Sequence, residues 1–257
     1  MDESENPRLS LDLTHLQNSK VFATFHGPFW RYLWGMNLDV VYSDAHLAVL
    51  NKPSGLLSVP GRGDDKQDCL ISRAQRIWPD ALTVHRLDMA TSGLVVVARG
   101  PAVQRMLSQA FAERKVHKIY EAVVDGSPPE VTPKHVSDPA SAEGWQDIQL
   151  PLLIDWPNRP KSKVDWAHGK PSHTQWRRKA GPVIEGATRV ELHPITGRTH
   201  QLRLHMMALG HAIWGDALYA SPEVCARAPR LLLHARQLQF HHPLTQEWLS
   251  FEMAVPF

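Results

Sequence analysis

Cysteine is scarce in these 257 residues: only Cys69 and Cys225 occur, far apart and outside any C-x-x-C spacing. That excludes a disulfide framework and a cysteine-based zinc site, and it fits a reducing compartment. Long apolar runs are missing too. No stretch approaches the roughly 18–20 residues needed to cross a bilayer as a helix, and the acidic start at Asp2, Glu3 and Glu5 is the reverse of a basic signal-peptide opening. The chain therefore reads as cytoplasmic, with no membrane partner. Gly61-Arg62-Gly63 lacks the third glycine of a dinucleotide fingerprint, and no G-x-x-x-x-G-K-[ST] is present. Despite fifteen histidines there is no H-E-x-x-H, and His200 and His205, five apart, do not share a helical face. No metal and no cofactor is expected. Net charge is also small: 28 Lys and Arg against 26 Asp and Glu give +2, too little to hold a polyanion by bulk charge alone.

What is present reads as short strands and helices. Val40–Tyr42 and Leu47–Leu50 are strand signals around a polar turn, and Leu70, Ile71, Ala74, Ile77 and Trp78 fall at helical spacing before Pro79. Gly93–Ala98 is an apolar run short enough to be a buried strand. Pro101 then opens an amphipathic helix with Val103, Met106, Leu107, Ala110 and Phe111 on one face. Strands are expected at 119–124, 149–154, 188–192, 231–233 and 238–240, a helix at 199–209, and a proline-rich surface loop at 126–147. The elements mix without strict alternation, which predicts an α+β domain with a mixed, largely antiparallel sheet flanked by helices and loops. Residues 1–36 form an N-terminal arm rich in rings (Phe22, Phe25, Phe29, Trp30, Tyr32, Trp34); such rings can stack on bases, and the favoured expectation is that they pack on a domain spanning 37–257.

The mild total charge is uneven. Between 158 and 211 ten Lys and Arg face three acids, the pattern of a polyanion-binding face on a weakly charged protein or, equally, of a solvated mixed surface. One segment stands out for chemistry: His85-Arg86-Leu87-Asp88-Met89-Ala90-Thr91-Ser92-Gly93-Leu94, an acid with an Arg, two hydroxyls and a glycine just before the buried strand. Such loop-to-strand junctions hold side chains at the edge of a rigid sheet. By residue type alone, a turn with a local ion pair fits as well.

This segment resembles the H-R-L-D-x-x-T-S-G-L signature of the RluA family of pseudouridine synthases. Leu50-Asn51-Lys52-Pro53-Ser54-Gly55-Leu56, Lys118-Ile119-Tyr120 and Pro194-Ile195-Thr196-Gly197-Arg198-Thr199-His200-Gln201-Leu202-Arg203-Leu204-His205 are similar to the family's other motifs, in the same order. The resemblance implies an RNA pseudouridine synthase without cofactor. It implies that uridine is isomerised by cleavage of the C1′–N1 bond and rejoining through C5. Segments 58–62, 155–161 and 219–223 are similar to a subgroup acting on tRNA anticodon-loop and large-subunit ribosomal RNA uridines. No S4 RNA-binding domain fits in the residues before the first motif, and a monomer without an obligate protein partner is expected.

Under this resemblance Asp88 is the catalytic aspartate, and both attack at C1′ and removal of a C2′ proton fit it. Arg198 is the active-site arginine expected beside Asp88, and Tyr120 the tyrosine that stacks on the flipped uracil or assists at C5. Arg86 either fills the space the base vacates or partners Asp88. His85, Arg62, Arg159, Lys161, His200 and Arg203 are the further RNA-binding candidates. Two other classes fit part of the sequence: a catalytically silent RNA-binding scaffold, and a glycosidase, which would need a second carboxylate near Asp88.

Overall fold

A computed structural model describes residues 38–129 and 144–257. The aromatic arm at 1–36 and most of the proline-rich loop lie outside these residues.

The strands β1 (Asp39–Ser43), β2 (Leu47–Lys52) and β4 (Ser92–Arg99) form where side chains alternate between two covered faces. In β4, Leu94, Val96 and Ala98 join one apolar cluster while Val95 and Val97 join the other. A strand covered on both sides reads as a continuous apolar run rather than an alternation. The remaining strands are β3 (Ala81–Thr83), β5 (His117–Asp125), β6 (Gln146–Ile154), β7 (Ser162–Val164), β8 (Lys170–Arg178), β9 (Ala187–Pro194), β10 (Leu233–His241) and β11 (Trp248–Glu252). One sheet runs β1-β2-β4-β10-β5-β9-β8-β6-β7, with β3 beside β4 and β11 beside β10. All pairings are antiparallel except β4 with β10. The α+β architecture with a mixed, largely antiparallel sheet is thus observed.

Helix α2 (Pro101–Ala112) covers one face through Val103 and Leu107, with Pro101 at its first turn. Helices α1 (Leu70–Gln75) and α3 (Gln201–Ala208) cover the other through Leu70, Ile71, Ala74, Leu202 and Met206. A short α4 (Pro222–Cys225) is capped by Ser221.

The expected strands at 231–233 and 238–240 are one element, β10. Its register against β5 shifts between Ala235 and Gln237, so Leu233 and Ala235 face one cluster and Leu238 and Phe240 the other. A bulge reverses which face a side chain meets, and the pattern in sequence breaks where the strand does not. Strand β8 was not foreseen because its inward residues include Ser172 and Thr174, both buried, beside Trp176.

β4 and β10 meet at Gly93, opposite Ala235. A Cβ at Gly93 would lie 2.4 Å from the Ala235 carbonyl oxygen, and φ there is +116°. Gly93→Ala is therefore expected to cost at least about 2 kcal/mol, from backbone clash and conformational strain together. An unchanged urea midpoint would contradict this close approach.

Candidate active site

Asp88 sits on a loop that enters β4, and the loop is clamped on both sides. Lys52 continues the inward row of Ala48 and Leu50 but is charged. Its Nζ donates to the carbonyls of Pro53 (2.9 Å), Leu56 (2.8 Å) and Met89 (3.0 Å), which uses all three of its protons. Burial pushes the Lys52 ammonium down to about 8; the charge of Asp88 opposes that shift and Arg230 adds to it. Ser54 Oγ donates to the Ala90 carbonyl (2.7 Å), and Gly55 N–H to that of Met89 (2.8 Å). Ser58 Oγ donates to the Leu87 carbonyl (2.7 Å) and accepts from the Leu87 N–H (3.1 Å). The segment 52–58 thus fixes the backbone before and after Asp88 through main-chain groups, leaving its carboxylate free for other partners.

Those partners come from α3. Arg203 NH1 lies 3.6 Å and His200 Nε2 3.8 Å from Asp88 Oδ2. His200 is the N-cap of α3 and Arg203 lies in its first turn, and both side chains reach the same carboxylate oxygen. His200 reaches this position with a left-handed backbone (φ 56°). The turn before it is held by Gln201, whose Oε1 accepts from Thr196 Oγ1 (2.7 Å) and the Arg198 N–H (3.0 Å), while Nε2 donates to the His173 carbonyl and Thr174 Oγ1 (2.9 Å each). Arg203 is buried. Its Nε and NH2 form a two-pronged pair with Asp216 at 2.8 and 2.6 Å, a geometry that aligns the guanidinium plane.

Tyr120, on β5, faces the same side of the sheet as Asp88's neighbours in the core. Burial pushes its phenol well above the ordinary value, and the Asp88 charge adds to the shift. The hydroxyl is therefore neutral at working pH, which suits stacking and hydrogen bonding and not a phenolate base.

Three expectations change. Arg198 is not the arginine beside Asp88: it lies on the exposed turn before α3, its Nε 3.3 Å from the Pro171 carbonyl, and Arg203 occupies that place. Arg203 accordingly has no guanidinium edge to spare for an outer RNA phosphate. His85 is turned to the opposite side of the sheet, where its Nε2 accepts from the Val96 N–H (3.0 Å) and its ring stacks on Phe111 of α2 (centroids 4.4 Å). Burial holds this imidazole down at about 3, so it packs there as a neutral ring on the face away from Asp88.

Arg86 and Arg62 are exposed, and among the described residues no ion pair joins Arg86 to Asp88. The basic stretch does not form one face. Arg177 pairs with Glu191 (2.7 Å), Lys179 and Arg189 meet Glu121, and Arg236 joins Glu191 (2.7 Å) on the side of the sheet away from Asp88. Arg159, Lys161, Lys170 and Arg198 remain exposed near α3 and β7. Arg159 stacks 3.7 Å over the exposed Trp156 ring. Lys52 and Tyr219 each fell in a segment similar to the family, though neither was singled out as a site residue; Asp216 carried no signal in the sequence.

Among the described residues no helix is long and apolar enough to cross a membrane.

Comparison with known proteins identifies the family. The family model for RNA pseudouridylate synthase matches residues 46–208. The dual-specificity RNA pseudouridine synthase RluA of Escherichia coli (strain K12) is 50% identical over 224 residues, covering 86% of this chain and 94% of that protein. RluA of Pasteurella multocida (strain Pm70) is 46% identical over 220 residues with the same coverage. The solved structure of human RNA pseudouridylate synthase domain containing 1 superposes with a TM-score of 0.66 at 27% identity, covering 86% of this chain and 85% of that one. With four motifs in order, an aspartate clamped at the sheet edge and relatives matched over most of their length, the chain belongs to the RNA pseudouridylate synthase family and is an RNA pseudouridine synthase.

Proposed function

We propose that the protein isomerises a uridine in a tRNA anticodon loop and one in large-subunit ribosomal RNA, acting in the cytoplasm as a monomer. The dual specificity in the names of its bacterial relatives supports the two substrates. The observation that carries the catalytic reading is the arrangement at Oδ2 of Asp88, faced from one helix by Arg203 and His200 at 3.6 and 3.8 Å while the carboxylate stays 29% exposed. An accessible, oriented carboxylate can act at C1′ or C2′ of a nucleotide brought to it.

A base in a structured loop reaches Asp88 only after leaving its stack. Exposed Arg86, two residues from Asp88, is placed to enter the gap, and Tyr120 supplies a neutral ring and hydroxyl for the flipped uracil. Arg62, Arg159, Lys161 and Arg198 form the phosphate-contacting rim, with the Trp156–Arg159 stack as an exposed platform of the kind that takes unpaired bases. The main domain spans 37–257 in this reading.

Incubation with tRNA and ribosomal RNA fragments carrying C5-tritiated uridine, without added cofactor or metal, should release tritium from both. Release from one RNA alone would remove the dual specificity, and none from either would remove the substrate assignment.

A further inference from the structure

Behind His200 lies a chain of polar groups, through Tyr219 to Ser162, that the catalytic reading does not use. Tyr219 follows Asp216 by three residues, and Asp216 holds it in place: Oδ1 accepts from the N–H groups of Leu218 (2.9 Å) and Tyr219 (3.2 Å) while the carboxylate grips Arg203. The Tyr219 oxygen accepts a hydrogen bond from the Ser162 N–H at 2.7 Å. It also lies 2.8 Å from Nδ1 of His200, whose ring is edge-on to the tyrosine.

A phenol has one proton to give. With its oxygen already accepting from Ser162, the direction left for that proton is His200 Nδ1. A neutral imidazole that accepts at Nδ1 carries its own proton on Nε2. Nε2 is the atom that faces Asp88 Oδ2 at 3.8 Å. The His200 side chain is only 9% exposed, and burial lowers its basicity; the Asp88 and Asp216 charges oppose that shift and Arg203 adds to it, with the net direction toward the neutral form that the hydrogen bond at Nδ1 requires.

We propose that Tyr219 is a positioning residue that fixes His200 as the Nε2–H tautomer, aiming a neutral N–H donor at the catalytic carboxylate beside the charged donor Arg203. His200 is a positioning residue as well, acting on Asp88 and not on the RNA. At 3.6 and 3.8 Å the two donors face Oδ2 just beyond hydrogen-bond length, so a shift of under about 1 Å brings both into hydrogen bonds with it. The chain Ser162–Tyr219–His200–Asp88 also starts at the end of the loop that carries Arg159 and Lys161, so the rim and the carboxylate share one rigid connection. Asp216 sets both donors, gripping Arg203 directly and Tyr219 through its backbone.

The proposal rests on Asp88 being the reacting group, and its test has an arm independent of turnover. In the 15N-labelled full-length protein, the His200 ring signals, identified by their loss in His200→Gln, should show a protonated Nε2 and an unprotonated Nδ1. Tyr219→Phe, which keeps the ring against Arg203, should convert them to a mixture of tautomers. In single-turnover assays Tyr219→Phe should lower the rate about tenfold, the worth of one directed hydrogen bond, with RNA affinity within about twofold. His200→Gln places an amide N–H near the imidazole Nε2 and should keep activity within about fivefold. His200→Asn reaches only the Tyr219 side and should lose about thirtyfold or more. An Nδ1–H tautomer in the wild-type protein overturns the proposal, as does equal activity of His200→Gln and His200→Asn. If no RNA is turned over, the substrate reading fails while the ring signals still decide the tautomer.

Discussion

Asp88→Asn should lower single-turnover pseudouridine formation by at least about 10³-fold while changing the RNA dissociation constant by no more than about threefold. The physical basis is a division of labour within the loop. The loop holding Asp88 is tied down through the carbonyls of Leu87, Met89 and Ala90 by Lys52, Ser54 and Ser58, none of which touches the carboxylate. An amide of the same shape leaves those ties intact, so fold and rim persist while the anionic oxygen between Arg203 and His200 is lost. Tritium release paired with filter binding measures both quantities. Activity above a tenth of wild type would remove Asp88 from the centre of the reaction, and a parallel loss of binding would merge the two functions that the geometry separates.

The second large effect distinguishes two arginines of one motif. Arg203→Met should cost about 3–5 kcal/mol of stability, because Asp216, 1% exposed, is left as a buried carboxylate without its partner. It should also slow turnover by about 10²-fold or more, since the same guanidinium is the charged donor facing Asp88. Arg198→Ala should change stability by under about 0.5 kcal/mol and turnover by under about threefold, its side chain being exposed. The pair replacement Arg203→Met with Asp216→Leu separates the effects: apolar groups in place of both partners should recover much of the stability but none of the rate. Urea unfolding and single-turnover assays read these outcomes. A larger rate loss in Arg198→Ala than in Arg203→Met would return the active-site role to Arg198.

Much of this site was legible before any coordinates. The segment from His85 to Leu94 announced a loop-to-strand junction with a carboxylate on it, while the close approach of two backbones at Gly93 emerged only when β10 was set beside β4. Lys52 extends the inward row of Ala48 and Leu50 along β2 and puts a charge on the covered face. A buried ammonium must find acceptors, and it finds them in the loop around Asp88. The charge count was less informative. Arg177, Lys179 and Arg189 contribute to a basic stretch in sequence, yet β5 and β9 bring Glu121 and Glu191 against them, so their charge is spent within the protein.

Residue type and alternation by themselves determined the covered central strands and the α2 face, and the resemblance of the His85–Leu94 segment to a family signature singled out Asp88. They could not decide which arginine reaches it. Arg198 and Arg203 stand five residues apart in one conspicuous motif, and their positions depend on where the helix begins. That is set by Gln201 gripping the turn and by the left-handed backbone at His200, which rotate residues 200 and 203 toward the carboxylate and leave 198 outside. Asp216 and Tyr219, distant in the chain, complete the arrangement because a buried guanidinium and a buried imidazole each need a partner that only the packed fold can bring to them.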